Sequence, residues 1–293
     1  MKDWLEKHIA IIFITPIMLF ILGMVLFPLC YTLYLSFTEW SMGITAPKFI
    51  GLQNYSSLLF KEGRFWNAVG RTLYLAIGSV SIEVVLGLAL AIFLHREFMG
   101  KNLAKTLFLL PMIATPVAVG MVWLLIYEPT LGVANYLLKK IGMAPVMWLV
   151  SREAVLKSFI LVEVWQWTPM VTLIILAGLS GLPSDPYESA IVDGASRPQI
   201  FARITLPLIA PTIVVAALLR LIDALKTFDI IYSMTQGGPL FASETLNVLT
   251  YSITFGYLRM GSGSALVMLF LATIALVSAV MILIRRTVER MYQ

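Results

Sequence analysis

The sequence lacks most of the residues that build a soluble catalytic site or a metal site. Its 293 residues include one cysteine, Cys30, and two histidines, His8 and His95, so we expect no disulfide, no metal and no cofactor in this chain. Charged residues make up 13% of the chain, about half of the roughly 25% that is average for soluble domains. The sequence also lacks a G-x-x-x-x-G-K-[ST] phosphate-binding loop, which excludes ATP hydrolysis through such a loop.

Long apolar runs are what the sequence does contain. Hydrophobic residues make up 59% of the chain. A bilayer core about 30 Å thick is crossed by about 20 apolar residues in a helix. Stretches of that length lie at 9–37, 72–94, 107–127, 155–179, 208–235 and 264–284. The sequence therefore predicts an all-α polytopic membrane protein with six transmembrane helices, forming a single domain over residues 1–293.

Charge and flanking residues predict how these helices are oriented. The first stretch is too long for the apolar region of a signal peptide and lacks a small-x-small cleavage site, so we interpret it as a retained helix. The net charge of +5 does not indicate nucleic-acid binding, because the basic residues lie between apolar stretches near membrane lipid. Lys and Arg are denser on the side that carries both termini, and the positive-inside rule places that side in the cytoplasm.

One polar segment, YESAIVDGASRPQIFARITLPLIAP at 187–211, separates the fourth and fifth stretches. A helix start is predicted around its first residues. Asp185 lies at an N-cap, Pro186 at the first helical position, and Glu188 three residues after the cap. Gly194 predicts a left-handed C-cap for this helix. The segment is therefore expected to begin with a short, well-capped helix.

A second short helix is expected directly after the first. Ser196 and Gln199 form a capping-box pattern, and the helix is expected to end before Pro207. Periodicity predicts that the two helices expose Tyr187, Ala190 and Ile191 on the first, and Ile200, Phe201 and Ile204 on the second. The segment is thus predicted to be a protruding pair of helices with a bend at Gly194.

The same segment resembles the EAA loop of the permease subunits of binding-protein-dependent ABC importers. The resemblance is carried by Glu188-Ser189-Ala190, then Gly194, then nine residues, then ITLP at 204–207. Ser189 stands where the pattern has alanine, which is a change between small residues. The alternative is that a short amphipathic helix-turn-helix only connects two spans.

This resemblance implies the type I permease fold of ABC importers and a cytoplasmic coupling loop at residues 183–207. The implied partners are two copies of an ATP-binding subunit, which bind ATP and Mg, and an extracytoplasmic binding protein. The resemblance also implies that the chain is not an enzyme. It places the contacts to the ATP-hydrolysing subunit on Tyr187, Glu188, Ser189, Ala190, Asp193, Gly194 and Ala195.

A second stretch, FDIIYSMTQGGP at 228–239, resembles the carbohydrate-uptake branch of that family, in particular its maltose- and trehalose-type subunit. The resemblance implies transport of a di- or oligosaccharide and a heterodimer with a homologous second permease in a prokaryotic cell membrane. Permeases for glycerol phosphate or amino acids are the alternative. The residues themselves predict only that QGGP at 236–239 forms a turn that ends a helix.

Four charged residues lie three positions apart in the fifth stretch: Arg220, Asp223, Lys226 and Asp229. At this spacing each charge has an oppositely charged neighbour within reach, and the set is neutral. Ionisable groups within a span face a cavity or each other. Two interpretations stay open, because the charges either bind sugar hydroxyls or neutralise one another and hold the helix to its partner.

The resemblance also implies which side chains line the sugar pathway. They are Gln166, Trp167 and Met170 in the fourth stretch, and Arg220, Asp223, Ala224 and Thr227 in the fifth. An indole can stack on the apolar face of a sugar ring, and an amide can bond its hydroxyls. Pro169 is expected to break the helix beside them and so to help open a cavity.

Glu83 lies in the middle of the second stretch. It shares a helix face with Ser79, Gly87 and Ala91, a stripe of small and polar residues that favours close helix packing in lipid. We interpret Glu83 as a residue that bonds to another helix. A proton relay is the alternative, and the second stretch offers no further titratable group for it.

Two other classes of function are considered. A stand-alone secondary transporter should contain inverted repeats with paired broken helices, and an intramembrane enzyme should contain a nucleophile or metal constellation. We find neither pattern in the sequence. The importer subunit is therefore the expected function.

Overall fold

The computed structural model describes the backbone of residues 2–44 and 46–292, and the side chains of residues 13–44, 46–287 and 290. The described chain is mostly helical with only two short strands, so the all-α prediction is confirmed. The helices are α1 (Lys2–Ser36), α2 (Gln53–Ser56), α3 (Gly63–His95), α4 (Lys101–Ile113), α5 (Pro116–Ile126), α6 (Val133–Lys140), α7 (Val155–Ser180), α8 (Asp185–Val192), α9 (Arg197–Ile200), α10 (Leu206–Leu225), α11 (Asp229–Thr235), α12 (Leu246–Tyr251) and α13 (Met260–Tyr292). π-helical turns follow α2, α9 and α12 at Ser57–Lys61, Phe201–Thr205 and Ser252–Gly256.

Five helices of the described chain are long and apolar enough to cross a membrane. They cover Phe13–Ser36, Gly63–His95, Val155–Ser180, Arg197–Leu225 and Met260–Thr287. The pair α4 and α5 brings the number to six if these two helices form one bent span. The count agrees with the six apolar stretches of the sequence, although the stretches and the helices differ in their ends.

The third stretch is not one straight helix. α4 and α5 meet at an angle of 96°. Thr115 between them has an extended backbone, with ψ of 139°, because the ring of Pro116 disfavours helical geometry in the residue before it. Pro116 then begins α5 at a position where its missing N–H removes no hydrogen bond.

Pro169 does not break the fourth span, so the expectation of a break there is wrong. α7 is continuous through it. Thr168 and Thr172, on either side, donate their hydroxyls to the carbonyls of Val164 (2.5 Å) and Thr168 (2.9 Å). The carbonyl that loses its backbone donor at Pro169 is that of Trp165, and packing by neighbouring helices helps a transmembrane helix tolerate such a proline.

The fifth span ends earlier than the sequence predicts. α10 stops at Leu225, and α11 begins only at Asp229. Asn247 donates its side-chain amide to the carbonyl of Lys226 at 2.7 Å, so the carbonyl freed by the break is satisfied. The predicted turn is confirmed, since Gln236 caps α11 in the left-handed conformation, with φ of 52°.

The chain divides into two compact units. The first contains residues up to Phe65 together with Thr250–Ala272. In it β1 (Thr38–Glu39) pairs antiparallel with β2 (Lys48–Phe49), and the buried Asn54 amide donates to the carbonyls of Ser36 (2.9 Å) and Thr38 (2.8 Å). The hairpin is thereby fixed to the end of α1.

The second unit contains Trp66–Leu249 and the residues from Thr273 onward. Its core is formed by α3, α5, α7, α10 and α11 with part of α13. α3 and α7 approach closely at Gly87, where a Cβ atom would lie 2.7 Å from a methyl of Val171. Ser79 and Ala91 of the predicted stripe are also fully buried. This unit holds all the predicted site residues.

Candidate functional site

The loop between α7 and α10 begins with α8, as predicted, but its N-cap is one residue earlier than expected. Ser184 occupies the cap, but its hydroxyl accepts no capping hydrogen bond from the first turn, and Asp185 lies inside that turn. Gly194 has the predicted left-handed conformation, with φ of 73°. The N–H of Ala195 donates to the carbonyl of Ala190 at 2.9 Å, which is the bond expected where a left-handed glycine ends a helix.

The second helix of the loop starts as predicted and ends differently. Ser196 and Gln199 form the capping box, with the Ser196 N–H donating to Oε1 of Gln199 at 2.7 Å. The helix does not end before Pro207, because the π-helical turn carries it directly into α10. Pro207 lies in the first turn of α10, where proline is tolerated. The span thus begins within the loop.

The exposed face of α8 differs from the predicted one. Tyr187 is half-buried and its hydroxyl donates to Oγ1 of Thr205 at 3.2 Å, while Ala190 is buried. These two residues face the rest of the loop because α8 packs on the segment that leads into α10. Ile191 is 65% exposed and Val192 is 87% exposed.

The remaining residues implied by the EAA resemblance are mostly at the surface. Glu188, Ser189, Asp193 and Gly194 are exposed, and Ala195 is half-buried. The second-helix residues predicted to be exposed, Ile200, Phe201 and Ile204, are all half-buried. Val192 was missed by the sequence interpretation, although an exposed valine just before the glycine cap continues the apolar edge of Ile191.

A buried ionic cluster joins three helices within the predicted membrane region. Arg220 of α10 is 1% exposed, and Glu83 of α3 and Glu163 of α7 are 0% and 1% exposed. The Arg220 guanidinium approaches both Glu83 oxygens, with Nε 2.8 Å from Oε2 and Nη2 3.2 Å from Oε1. Its Nη2 also donates to Glu163. We call these three residues the buried triad.

Two predicted pathway residues complete the surroundings of the triad. The Trp167 ring lies under the guanidinium, with its centroid 5.1 Å from Cζ of Arg220. Thr227 donates its hydroxyl to Glu163 at 3.3 Å. Both residues are half-buried. The structure therefore brings Arg220, Trp167 and Thr227 together around two carboxylates.

The triad confirms the interpretation of Glu83 as a residue that bonds to another helix. It also corrects the interpretation that the four charges of the fifth stretch neutralise one another, because Arg220 is neutralised by carboxylates of other helices and not by Asp223. Asp223 pairs instead with Lys226 at 3.2 Å, and both side chains are about half exposed. Glu163 was missed, although a carboxylate in the middle of an apolar stretch is itself a signal of a paired or functional group.

The other predicted pathway residues are distributed differently. Gln166 is fully buried and donates its amide to the carbonyl of Ala114, at the bend between α4 and α5, at 3.3 Å. Ala224 is buried in an apolar cluster with residues of α3 and α13, and Met170 is half-buried. Gln166 thus supports the bent span, and Ala224 belongs to the helix packing of this chain.

No group of three or more potential metal ligands occurs among the described residues. His95 lies at the end of α3, and the side chain of His8 lies outside the described residues. Two surface carboxylates have lowered pKa values. The ammonium group of Lys101 lowers the pKa of Glu97, and the backbone N–H groups of Leu131 and Thr130 lower the pKa of Glu128.

Comparison with known proteins identifies the family. Residues 83–292 match the family described as binding-protein-dependent transport system inner membrane component. The chain is 42% identical over 268 residues to a probable ABC transporter permease protein, y4oQ, of Sinorhizobium fredii, covering 91% of this chain and 85% of that protein. It is 34% identical over 264 residues to the trehalose/maltose transport system permease protein MalF of Thermococcus litoralis, covering 89% and 88%.

The fold also matches solved structures. A chain of the bacterial alginate ABC transporter, crystallised in complex with an alginate pentasaccharide-bound periplasmic protein, superposes with a TM-score of 0.80 at 23% identity, covering 99% of this chain and 96% of that one. This likeness shows the fold. The family match and the relatives that align over most of this chain agree with the bent span and the loop between α7 and α10. The chain belongs to the family of inner membrane components of binding-protein-dependent ABC transporters, and it is a permease subunit.

Proposed function

We propose that this permease subunit forms half of the translocation pathway for a sugar, a di- or oligosaccharide of the trehalose or maltose type. The relatives named for trehalose and maltose transport support the substrate class. A second, homologous permease completes the pathway, and an extracytoplasmic sugar-binding protein delivers the substrate. ATP and Mg are bound by two copies of a separate ATPase subunit, and both termini lie in the cytoplasm of a prokaryotic cell.

The observation that carries the proposal is the exposed apolar edge of α8. Ile191 and Val192 stand at the surface of a short helix that is closed by Gly194 and bonded to the start of α10 through Tyr187. Exposed apolar residues on a polar loop mark an interaction surface. Because α8 is bonded through Tyr187 to Thr205, and the π-helical turn at Thr205 continues directly into α10, a displacement of α8 by the ATPase moves Arg220 and the helices that contact it.

The proposed substrate contacts are half-buried and exposed groups in α7, near the end of α10 and in the segment between α10 and α11. Trp167 provides a stacking surface, and Asp223 and Thr227 provide hydrogen-bonding groups. Met170 lies one turn from Trp167 on the same helix. The buried triad fixes these helices relative to one another, so a movement of the helices as a group also moves the proposed sugar contacts.

Transport by the reconstituted system tests this proposal. The chain is co-expressed with a homologous second permease, an ATPase and a binding protein from the same organism, and uptake of radiolabelled trehalose and maltose into proteoliposomes is measured. We expect ATP-dependent uptake that needs all four components. Uptake of glycerol phosphate or an amino acid, and not of sugar, would overturn the substrate class. Sugar uptake with this chain as the sole permease would overturn the heterodimer.

A further inference from the structure

A cavity of about 460 Å³ lies beside the coupling loop, where α3 and α7 end. Its volume is within the range of roughly 300–1,000 Å³ that is usual for small-ligand sites. Ile92 of α3, Leu179 of α7 and Phe201 of the π-helical turn give it an apolar wall. Since α3 and α7 are membrane spans, their ends place this wall at the boundary of the membrane.

The rim of the cavity is basic. His95 is the last residue of α3, Arg96 follows it, and Arg197 begins α9. All three side chains are exposed, and no acidic residue lines the cavity. Within the described part of the chain, neither Arg96 nor Arg197 forms an ion pair, and the nearby Glu97 is held by Lys101 at 2.7 Å. No carboxylate of the described residues is therefore paired with Arg96 or Arg197.

We propose that this cavity binds an anionic phospholipid, with its phosphate between the basic side chains of the rim and its first acyl carbons against the apolar wall. Basic pockets between transmembrane helices at the cytoplasmic surface recognise anionic lipid headgroups. A free phosphate would leave the apolar wall in water, and a lipid with a neutral headgroup would leave the charge of the rim unbalanced. The cytoplasmic location rests on the orientation proposed above, whereas the binding itself does not depend on transport.

The site adjoins the surface proposed for the ATPase, and it includes Tyr187, one of the residues for which the EAA resemblance implies a contact with the ATPase. Ile191 and Val192 do not line the cavity, whereas Ser184 and Tyr187 from the start of α8 do. A bound lipid thus contacts the ends of two spans and the inner face of α8 at the same time. Anionic lipid is therefore expected to hold the coupling loop in place while the outer face of α8 stays accessible.

Native mass spectrometry of the purified chain tests the proposal, by titration with dioleoyl phosphatidylglycerol or dioleoyl phosphatidylcholine. We expect the wild-type chain to prefer phosphatidylglycerol. The double variant Arg96→Gln, Arg197→Gln should bind it roughly thirty-fold more weakly, since each basic group near an anionic headgroup contributes about 1 kcal/mol. Binding of phosphatidylcholine should be unchanged. The matched double variant Lys139→Gln, Arg152→Gln removes the same charge from two exposed residues that do not line the cavity, and it should bind phosphatidylglycerol like the wild type.

A further variant separates charge from folding. Arg96→Lys, Arg197→Lys keeps the positive rim and should keep the lipid preference. Equal binding of the two lipids by the wild type, or an equal loss in both glutamine variants, would overturn the proposal. Displacement of phosphatidylglycerol by millimolar inorganic phosphate would identify a soluble-anion site instead. A glutamine variant that keeps its lipid but no longer co-purifies with the ATPase would identify a protein-docking surface.

Discussion

Replacing Arg220 by methionine tests whether the buried triad holds three helices together. The change removes the cation and leaves Glu83 and Glu163 buried and facing each other. Breaking a buried ion pair by removing one partner costs about 3–5 kcal/mol, whereas interhelical hydrogen bonds in membranes average about 0.6 kcal/mol. We therefore expect Arg220→Met to lower the free energy of unfolding by about 3–5 kcal/mol.

Lys226→Met is the matched control, because it removes one positive charge at the residue that directly follows the same helix. Lys226 pairs with Asp223 at 3.2 Å and is about half exposed. An exposed pair of this kind contributes roughly 0–1 kcal/mol. Equilibrium unfolding of the purified chain in mixed detergent and dodecyl sulfate micelles measures both variants. A loss for Arg220→Met that is no larger than that of the control would refute the structural role of the triad.

A triple variant distinguishes unpaired charge from lost packing. Adding Glu83→Gln and Glu163→Gln to Arg220→Met removes every charge of the triad while keeping side chains of similar size. Replacing a whole buried ionic cluster by neutral residues is often close to neutral for stability. The triple variant should therefore recover most of the stability lost in the single one. A triple variant as unstable as Arg220→Met would attribute the loss to packing.

Three further predictions concern other parts of the fold. Gly87→Ala should lower stability by about 1–3 kcal/mol in the same unfolding assay, because its Cβ would overlap a side chain of α7, whereas Gly70→Ala on the same helix meets nothing within 4 Å and should not destabilise. Gly194→Val should weaken co-purification with the ATPase because valine disfavours a φ of 73°, and Gly194→Asn should preserve it. A valine variant that co-purifies with the ATPase as well as the wild type does would contradict the role of this cap. Glu128 has a lowered pKa because the N–H of Leu131 donates to its carboxylate, so its stabilisation exists above the unfolded pKa and disappears as the pH falls through the folded one. Thermal unfolding of Glu128→Gln should thus differ from wild type at neutral pH and converge with it in acid; a constant difference would contradict this.

Features that depend on neighbouring residues in sequence could be predicted well. The left-handed cap at Gly194 and the capping box at Ser196 are properties of a few consecutive residues, and the structure contains both. The apolar stretches likewise identify the spans, because membrane thickness alone sets their length. The effects of Pro207 and Pro169 on their helices could not be predicted in this way, since a proline is compatible with a helix start and also with a position inside a span.

The identity of partners that lie far apart in sequence could not be predicted. Glu83 and Glu163 are 137 and 57 residues from Arg220, and nothing in the local pattern indicates that the three meet. The burial of Ala190 depends in the same way on the packing of α8 against Thr205 and its neighbours. Sequence spacing identifies which residues can pair along one helix, whereas a buried charge takes its partner from whichever helix excludes water around it.

The pairing of Arg220 with carboxylates of other helices changes the expected effect of Asp223→Asn on stability. If Asp223 neutralised Arg220, the substitution would leave a buried cation, and adding Arg220→Gln would restore stability. In the structure Asp223 contacts the half-exposed Lys226, so Asp223→Asn should cost no more than roughly 0–1 kcal/mol. Adding Arg220→Gln should then destabilise the protein further, because it leaves Glu83 and Glu163 without their cation. A double variant more stable than Asp223→Asn alone would contradict this arrangement, whereas a stable Asp223→Asn protein with weakened sugar uptake would support a direct contact between Asp223 and the substrate.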